Sequence, residues 1–264
     1  MSLDFIVQNA QLFFLVFVRI LAIVEVAPLI SSVGVPQIAK VGLALFTAVA
    51  IFPAVQQHGY PIPDAGLEYA LLAVGEALLG IATGFFLTMI YSAFVAAGEF
   101  FSLQTGFGFT QTIDPLAQVE VPIEGQFINI IAMYVFISVD GFQKLFIVGV
   151  TQGLTTARAI DFVLHRDGLL PMVVGSIGVL FKTSLIMSLP VLGTLLLVSI
   201  GMGLLGKAAP QMNLLMMGFP VSITVAFAVM FLVAPFLIQS FALVVEKSFD
   251  TVRTLLQLVH GGAP

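Results

Sequence analysis

From Leu169 to Val245 the chain contains no Asp or Glu, and its only charges there are Lys182 and Lys207. A soluble protein could hide so long an uncharged stretch only against a very large partner, so lipid is the simpler solvent. The stretch is divided by GLLGKAAPQMNLLMMGFP at 203–220. There a short polar turn with Lys207 and Pro210 separates apolar runs at 169–205 and 214–245.

Composition extends this reading to the whole molecule. Mean hydropathy is +1.14, and 9% of the 264 residues are charged, against about 25% in an average soluble domain. The chain is therefore one polytopic membrane domain. The net charge of −5 comes from 9 basic and 14 acidic residues scattered between apolar runs. They form no basic stripe for nucleic acid and no polybasic patch for anionic lipid. The absence of cysteine excludes disulfides, thiolate catalysis and Cys-based metal sites. The N-terminal segment carries Asp4 before any Lys or Arg, and Arg19 and Glu25 interrupt it, so it reads as a retained helix and not a signal peptide.

Apolar segments near 10–30, 41–56, 69–97, 126–150, 169–205 and 214–245 predict an all-α protein of about six helices. A bilayer core needs about 20 helical residues. The second segment is short and the third, fifth and sixth are overlong. Pro190, Pro220 and Pro235 each remove an intrahelical hydrogen bond, so kinked or broken helices are expected in the last two. Broken backbone at membrane depth survives only inside protein or along a wet cavity, which implies burial against other subunits, and kinks tolerated in an ordinary bundle are the alternative. Gly80 and Gly84 form a G-x-x-x-G on the third segment, one turn after Gly75, and permit close helix approach.

Four of the ionisable residues within apolar segments stand out: Arg19, Glu25, Glu76 and Lys182. Each costs at least about 2.5 to 3.5 kcal/mol at a helix centre and should face protein or water. Arg19 and Glu25 are six apart, on different helix faces, so their partners must lie elsewhere. A proton relay would offer more acids or a histidine at mid-membrane, so the better reading is structural: interhelical pairing that fixes assembly, or a position near the interface where a long side chain snorkels.

The connection GEFFSLQTGFGFTQTIDPLAQVEVP at 98–122 sets Phe100, Phe101, Phe107 and Phe109 among Gln104, Gly106 and Gly108, followed by Asp114 and Pro115. Glycine permits bends and phenylalanine supplies bulk, which suits a plug that closes a pore by dewetting. An interfacial anchor is the alternative, although Trp and Tyr more often fill that role.

Catalytic signatures are missing. Gly201-Met202-Gly203-Leu204-Leu205-Gly206 matches G-x-G-x-x-G but ends an apolar helix, with no acid about 20 residues later to hold a ribose. His58, His165 and His260 are isolated, and neither G-x-S-x-G nor a P-loop occurs. No catalytic residue, cofactor or metal is expected.

Several motifs in one order nevertheless resemble a known family. The run at 203–220 is similar to the GLL-x-[KR]-x-APQ-x-N turn and following GFP of the FliR family of flagellar biosynthetic proteins and its virulence-system homologues. AAGEFFSLQTGFGFTQTIDP resembles the family's GE-x-x-x-x-Q-x-G-x-x-F-x-x-x-x-DP stretch, and VGEALLGIATGF its E-x-L-x-G helix. Arg19, Ala27-Pro28, Val35-Pro36 and Gly42 match its N-terminal pattern, so the likeness runs from about 15 to 245.

The resemblance implies a subunit of a type III export gate at the flagellar basal body in the bacterial inner membrane. FliP-like and FliQ-like subunits would be its partners, together with the FlhB-like export switch protein and unfolded export substrates. It implies a helical pore assembly with bent helices lifted partly out of the bilayer. The N-terminal part, about 1–150, would carry the pore loop 98–122, with Gln104, Gly106, Phe107, Gly108, Phe109, Asp114 and Pro115 in the plug. The C-terminal hairpin, about 169–245, would turn at Lys207, Ala209, Pro210, Gln211 and Asn213, with Gly218, Phe219 and Pro220 following. The equivalent subunit of a virulence injectisome fits the same motifs. A small secondary transporter fits the broken helices, but its usual internal repeat is not evident.

Overall fold

The computed structural model describes residues 3–32, 34–57, 60–63, 65–106, 123–156, 169–211 and 213–259. Among them the regular structure is entirely helical. The long helices are α1 (Leu3–Val26), α2 (Gln37–Gln57), α3 (Gly66–Thr105) and α4 (Ile123–Ser138). Short elements follow: α5 (Gly141–Lys144), a π-helical stretch (Leu145–Gln152) and α6 (Gly153–Thr156). The chain closes with α7 (Leu169–Ala208) and α8 (Leu214–Val259). Five of these are long and apolar enough to cross a membrane, and a sixth span arises if α4 and the helical run after it count as one.

The chain forms two compact units. The first comprises Met1–Ile90, Asp140–Ser176 and Val245–Pro264, the second Tyr91–Val139 and Ile177–Val244.

In the first unit α1 packs against both α2 and α3. The amide of Gln56 donates to Asn9 Oδ1 at 2.9 Å, and the Phe13 and Phe52 rings meet edge-on at 5.6 Å. Near the other end of α1, Glu25 pairs with Lys40, so α1 and α2 run antiparallel. Against α3 the register climbs on both helices together. Tyr69 Oη donates to the Gln11 carbonyl at 3.0 Å, Arg19 pairs with Glu76, and Thr88 Oγ1 donates to the Val26 carbonyl at 2.5 Å. Thus α1 and α3 are parallel.

Gly80 and Gly84 explain how closely. A Cβ on Gly80 would sit 2.5 Å from the Arg19 carbonyl oxygen and 2.7 Å from Ala22 Cβ. One on Gly84 would sit 2.9 Å from Val26 Cβ. Backbone meets backbone here because a hydrogen replaces the side chain, as the G-x-x-x-G spacing predicts.

The second unit is built from residues 91–105 of α3, with α4, 177–208 of α7 and 214–244 of α8. Tyr91 Oη donates to Asn129 Oδ1 at 2.5 Å, and the Phe94 and Phe241 rings pack 4.2 Å apart. α7 buries one stripe, Ser184, Met187, Ser188, Val191 and Leu195, at helical spacing. Its buried hydroxyls are satisfied within the helix: Ser184 donates to Leu180 O at 2.7 Å and Ser188 to Leu185 O at 2.9 Å.

Three sequence expectations require correction. Pro190, Pro220 and Pro235 lie inside continuous helices and do not break them. Hydroxyls one turn on supply extra bonds near two of them, Thr194 to Pro190 O at 2.8 Å and Thr224 to Pro220 O at 2.7 Å. The break falls instead at Asp140, whose left-handed φ of 57° separates α4 from α5. The helical hairpin also extends beyond 245, because Val245, Phe249, Val252, Leu255 and Leu256 continue a buried stripe while Glu246, Lys247, Asp250 and Arg253 face outward. Finally, α3 runs through 98–105, so that part of the expected pore loop is helix. Nothing from Phe100 to Leu103 interrupts a helix, and Gly106 is the first residue that does.

Candidate functional site

Two constellations gather the residues singled out by the sequence. The first is the charged centre of the α1–α2–α3 group. Arg19 Nε lies 2.8 Å from Glu76 Oε2, and both side chains are almost wholly buried. Tyr60 Oη donates to the other carboxylate oxygen of Glu76. In so dry a place each ion is tolerable only because the other is present. Glu25 carries a second pair: Lys40 Nζ approaches its Oε2 at 3.5 Å and donates to Ser31 O at 3.3 Å, while Gln37 Nε2 donates to Glu25 Oε1. Arg19 and Glu25 therefore find separate partners on separate helices, as their spacing requires. Lys182 is different. Its side chain is exposed on α7 and makes no ion pair or hydrogen bond among the described residues.

The second constellation lies where α3 ends. Gly106 has φ +92°, a left-handed value that terminates the helix in the manner of a C-terminal glycine cap. Its missing Cβ leaves room for the ring of Phe219, which any side chain at 106 would overlap. One turn earlier, Gln104 Nε2 donates to Ser199 Oγ at 3.1 Å. The Q-x-G of the loop motif, the outer half of α7 and the GFP at the start of α8 thus meet in one place. Phe107, Gly108, Phe109, Asp114 and Pro115 lie outside the described residues, so the constellation is the foot from which that segment departs.

The α7–α8 turn follows from its sequence. Lys207 sits in the last turn of α7, where a cation complements the helix dipole, and the Ala209 amide closes on Leu205 O at 2.8 Å. Pro210 and Gln211 make the bend. Asn213 caps α8, its carbonyl and side chain accepting from the Met216 amide at 3.1 and 3.3 Å. Gly218, Phe219 and Pro220, grouped with the turn in the sequence, belong to the second turn of α8.

Sequence reasoning missed Tyr60, Gln37, Lys40 and Ser199. Lys40 was legible as the basic residue at the start of an apolar segment, one helix away from an unpaired Glu25. Tyr60 and Ser199 gave no such signal. Among the described residues no group of three or more His, Asp or Glu converges as a metal site would require.

Comparison with known proteins places these features. Residues 10–248 match the model of the bacterial export proteins, family 1. The chain belongs to that family. It is similar to the flagellar biosynthetic protein FliR of Escherichia coli, 30% identical over 93% of this chain and 94% of that one. The Bacillus subtilis FliR is also 30% identical, over 94% and 95%. That of Borreliella burgdorferi is 28% identical over 98% and 95%. The match in this family of bacterial export proteins spans both constellations, from Arg19 to Phe219.

Proposed function

We propose that the chain is a subunit of the flagellar type III export gate, which forms with FliP-like and FliQ-like subunits a pore for unfolded proteins in the bacterial inner membrane. It holds and shapes a path and does not transform its cargo. Family membership supports export, and the FliR names of the relatives support the flagellar system over an injectisome. The observation that carries a gate subunit is how little α7 and α8 bury within the chain. Only 22% and 17% of their apolar windows are covered internally, although both helices exceed the length a bilayer needs. Lipid can cover about 20 residues of each helix, and in this reading neighbouring subunits cover the apolar length beyond that.

Within this reading the segment that follows Gly106 in the chain is the plug, and the Gly106–Phe219 contact and the Gln104–Ser199 hydrogen bond hold the residues just before it. Phe107 and Phe109 supply its apolar bulk. Replacing both by Ala removes that bulk without adding charge. In cells expressing the complete gate the double variant is expected to leak a small solute or ion at rest, with co-purification of its partners unchanged. Assembly with parental tightness would make the segment an interfacial anchor.

A further inference from the structure

Three of the four ionisable groups singled out in apolar sequence are neutralised inside the chain, Arg19 with Glu76 and Glu25 by Lys40. Lys182 stands exposed and, among the described residues, without a partner. It is flanked by charge-free runs at 169–181 and 183–206, about 20 Å and about 36 Å of helix at about 1.5 Å per residue. Val179, Phe181, Leu185, Ile186 and Leu189 around it are all exposed as well.

No simple solvent suits this surface. Water would solvate the ammonium and strand the apolar residues, whereas lipid tails would do the reverse. A protein helix that brings a carboxylate to the lysine suits both. At about 100° per residue Lys182 shares its face with Gly175, Gly178, Gly193 and Ile200. A Cβ on any of these three glycines would meet nothing within 4 Å, so among the described residues none of them is needed for close packing. They leave room for a close neighbour, and the lysine specifies its chemistry.

We infer that the Lys182 face of α7 is a docking surface for a transmembrane helix of another subunit that carries an Asp or Glu at the depth of Lys182. The inference rests on the gate-subunit reading, since it requires neighbouring subunits in the membrane. It adds which face of α7 is covered and the charge that the covering helix must bear.

The absence of cysteine permits a direct test. An Ile186→Cys variant carries a single thiol one turn from Lys182, and a benzophenone attached there can be photolysed in membranes containing co-expressed FliP-like and FliQ-like subunits. The expected product joins the chain to one of them through a peptide holding an Asp or Glu within an apolar run. In parallel, Lys182→Glu is expected to lower co-purification of that subunit at least tenfold, and changing the partner's carboxylate to Lys should restore it.

Parental co-purification by both Lys182→Glu and Lys182→Met would overturn the inference, leaving the lysine to reach a lipid headgroup. A cross-link from the chain to a second copy of itself, for which the exposed Glu99 offers a carboxylate, would overturn it too. If Lys182→Glu is degraded, the cross-link decides, because it leaves the lysine intact. Failure of the unaltered chain to hold any partner would bring down the gate reading and this inference together.

Discussion

The α1–α3 contact and the outer face of α7 use the same materials to opposite ends. Both set small residues and a buried-type charge into apolar helix. Along α1–α3 the glycines are filled by the neighbouring backbone and the arginine by a carboxylate. Along α7, among the described residues, the glycines stand open and the lysine has no partner. The first is an interface completed within one chain. The second has the composition of an interface with its other half missing, and the difference separates surface that holds the chain together from surface that recruits others.

The largest test of this contrast is to break the completed side. Arg19→Ala or Glu76→Ala would strand one buried ion and should cost about 3 to 5 kcal/mol, seen as loss of the chain from membranes. Replacing both by Met should recover much of that loss. If either single variant accumulates and melts like the parent in detergent, the pair is not buried as described.

Gly80→Val is next. The Arg19 carbonyl cannot yield as a flexible side chain can, so overpacking of about 1 to 3 kcal/mol is expected, measured as a lower thermal midpoint of the purified assembly. Gly106→Ala should show a cost of the same order, because both its positive φ and the Phe219 ring oppose a side chain. In a double-mutant cycle Phe219→Ala should relieve the steric part only, with coupling of about 0.5 kcal/mol or more.

Gly193→Ala gives the smallest effect and the sharpest contrast. With open space around it the new methyl should stabilise the isolated chain by about 0.5 to 1 kcal/mol in detergent. Destabilisation of the isolated chain would show that α7 is already covered from within.

The sequence made some of this visible and hid the rest for physical reasons. Helix number and membrane character follow from hydropathy, which is additive along the chain. The separate partners of Arg19 and Glu25 follow from helical angle alone. The end of α8 was hidden because Glu246 and Lys247 lower hydropathy just where the helix becomes amphipathic. Pro190, Pro220 and Pro235 signalled breaks that the helices do not make, since tertiary packing outweighs the loss of single hydrogen bonds. Asp140, the actual break, looks like any polar residue after an apolar run. Gln104 and Gly106 were marked by motif, but their meeting with Ser199 and Phe219 joins residues about a hundred positions apart, which periodicity cannot report.

The parallel pairing of α1 with α3 has a consequence for how the chain is made. Arg19 leaves the ribosome before α2, and Tyr60 and Glu76 follow only once α2 is complete. At about 5 to 20 residues per second the arginine waits about 3 to 11 s for its counter-ion. During that interval α1 is a helix with an unanswered cation, poorly suited to release into lipid. Retention of α1 at the insertion machinery, or in a hydrated vestibule beside it, until α3 arrives would spare a cost of about 2.5 to 3.5 kcal/mol, and the three helices would then enter the bilayer as a group.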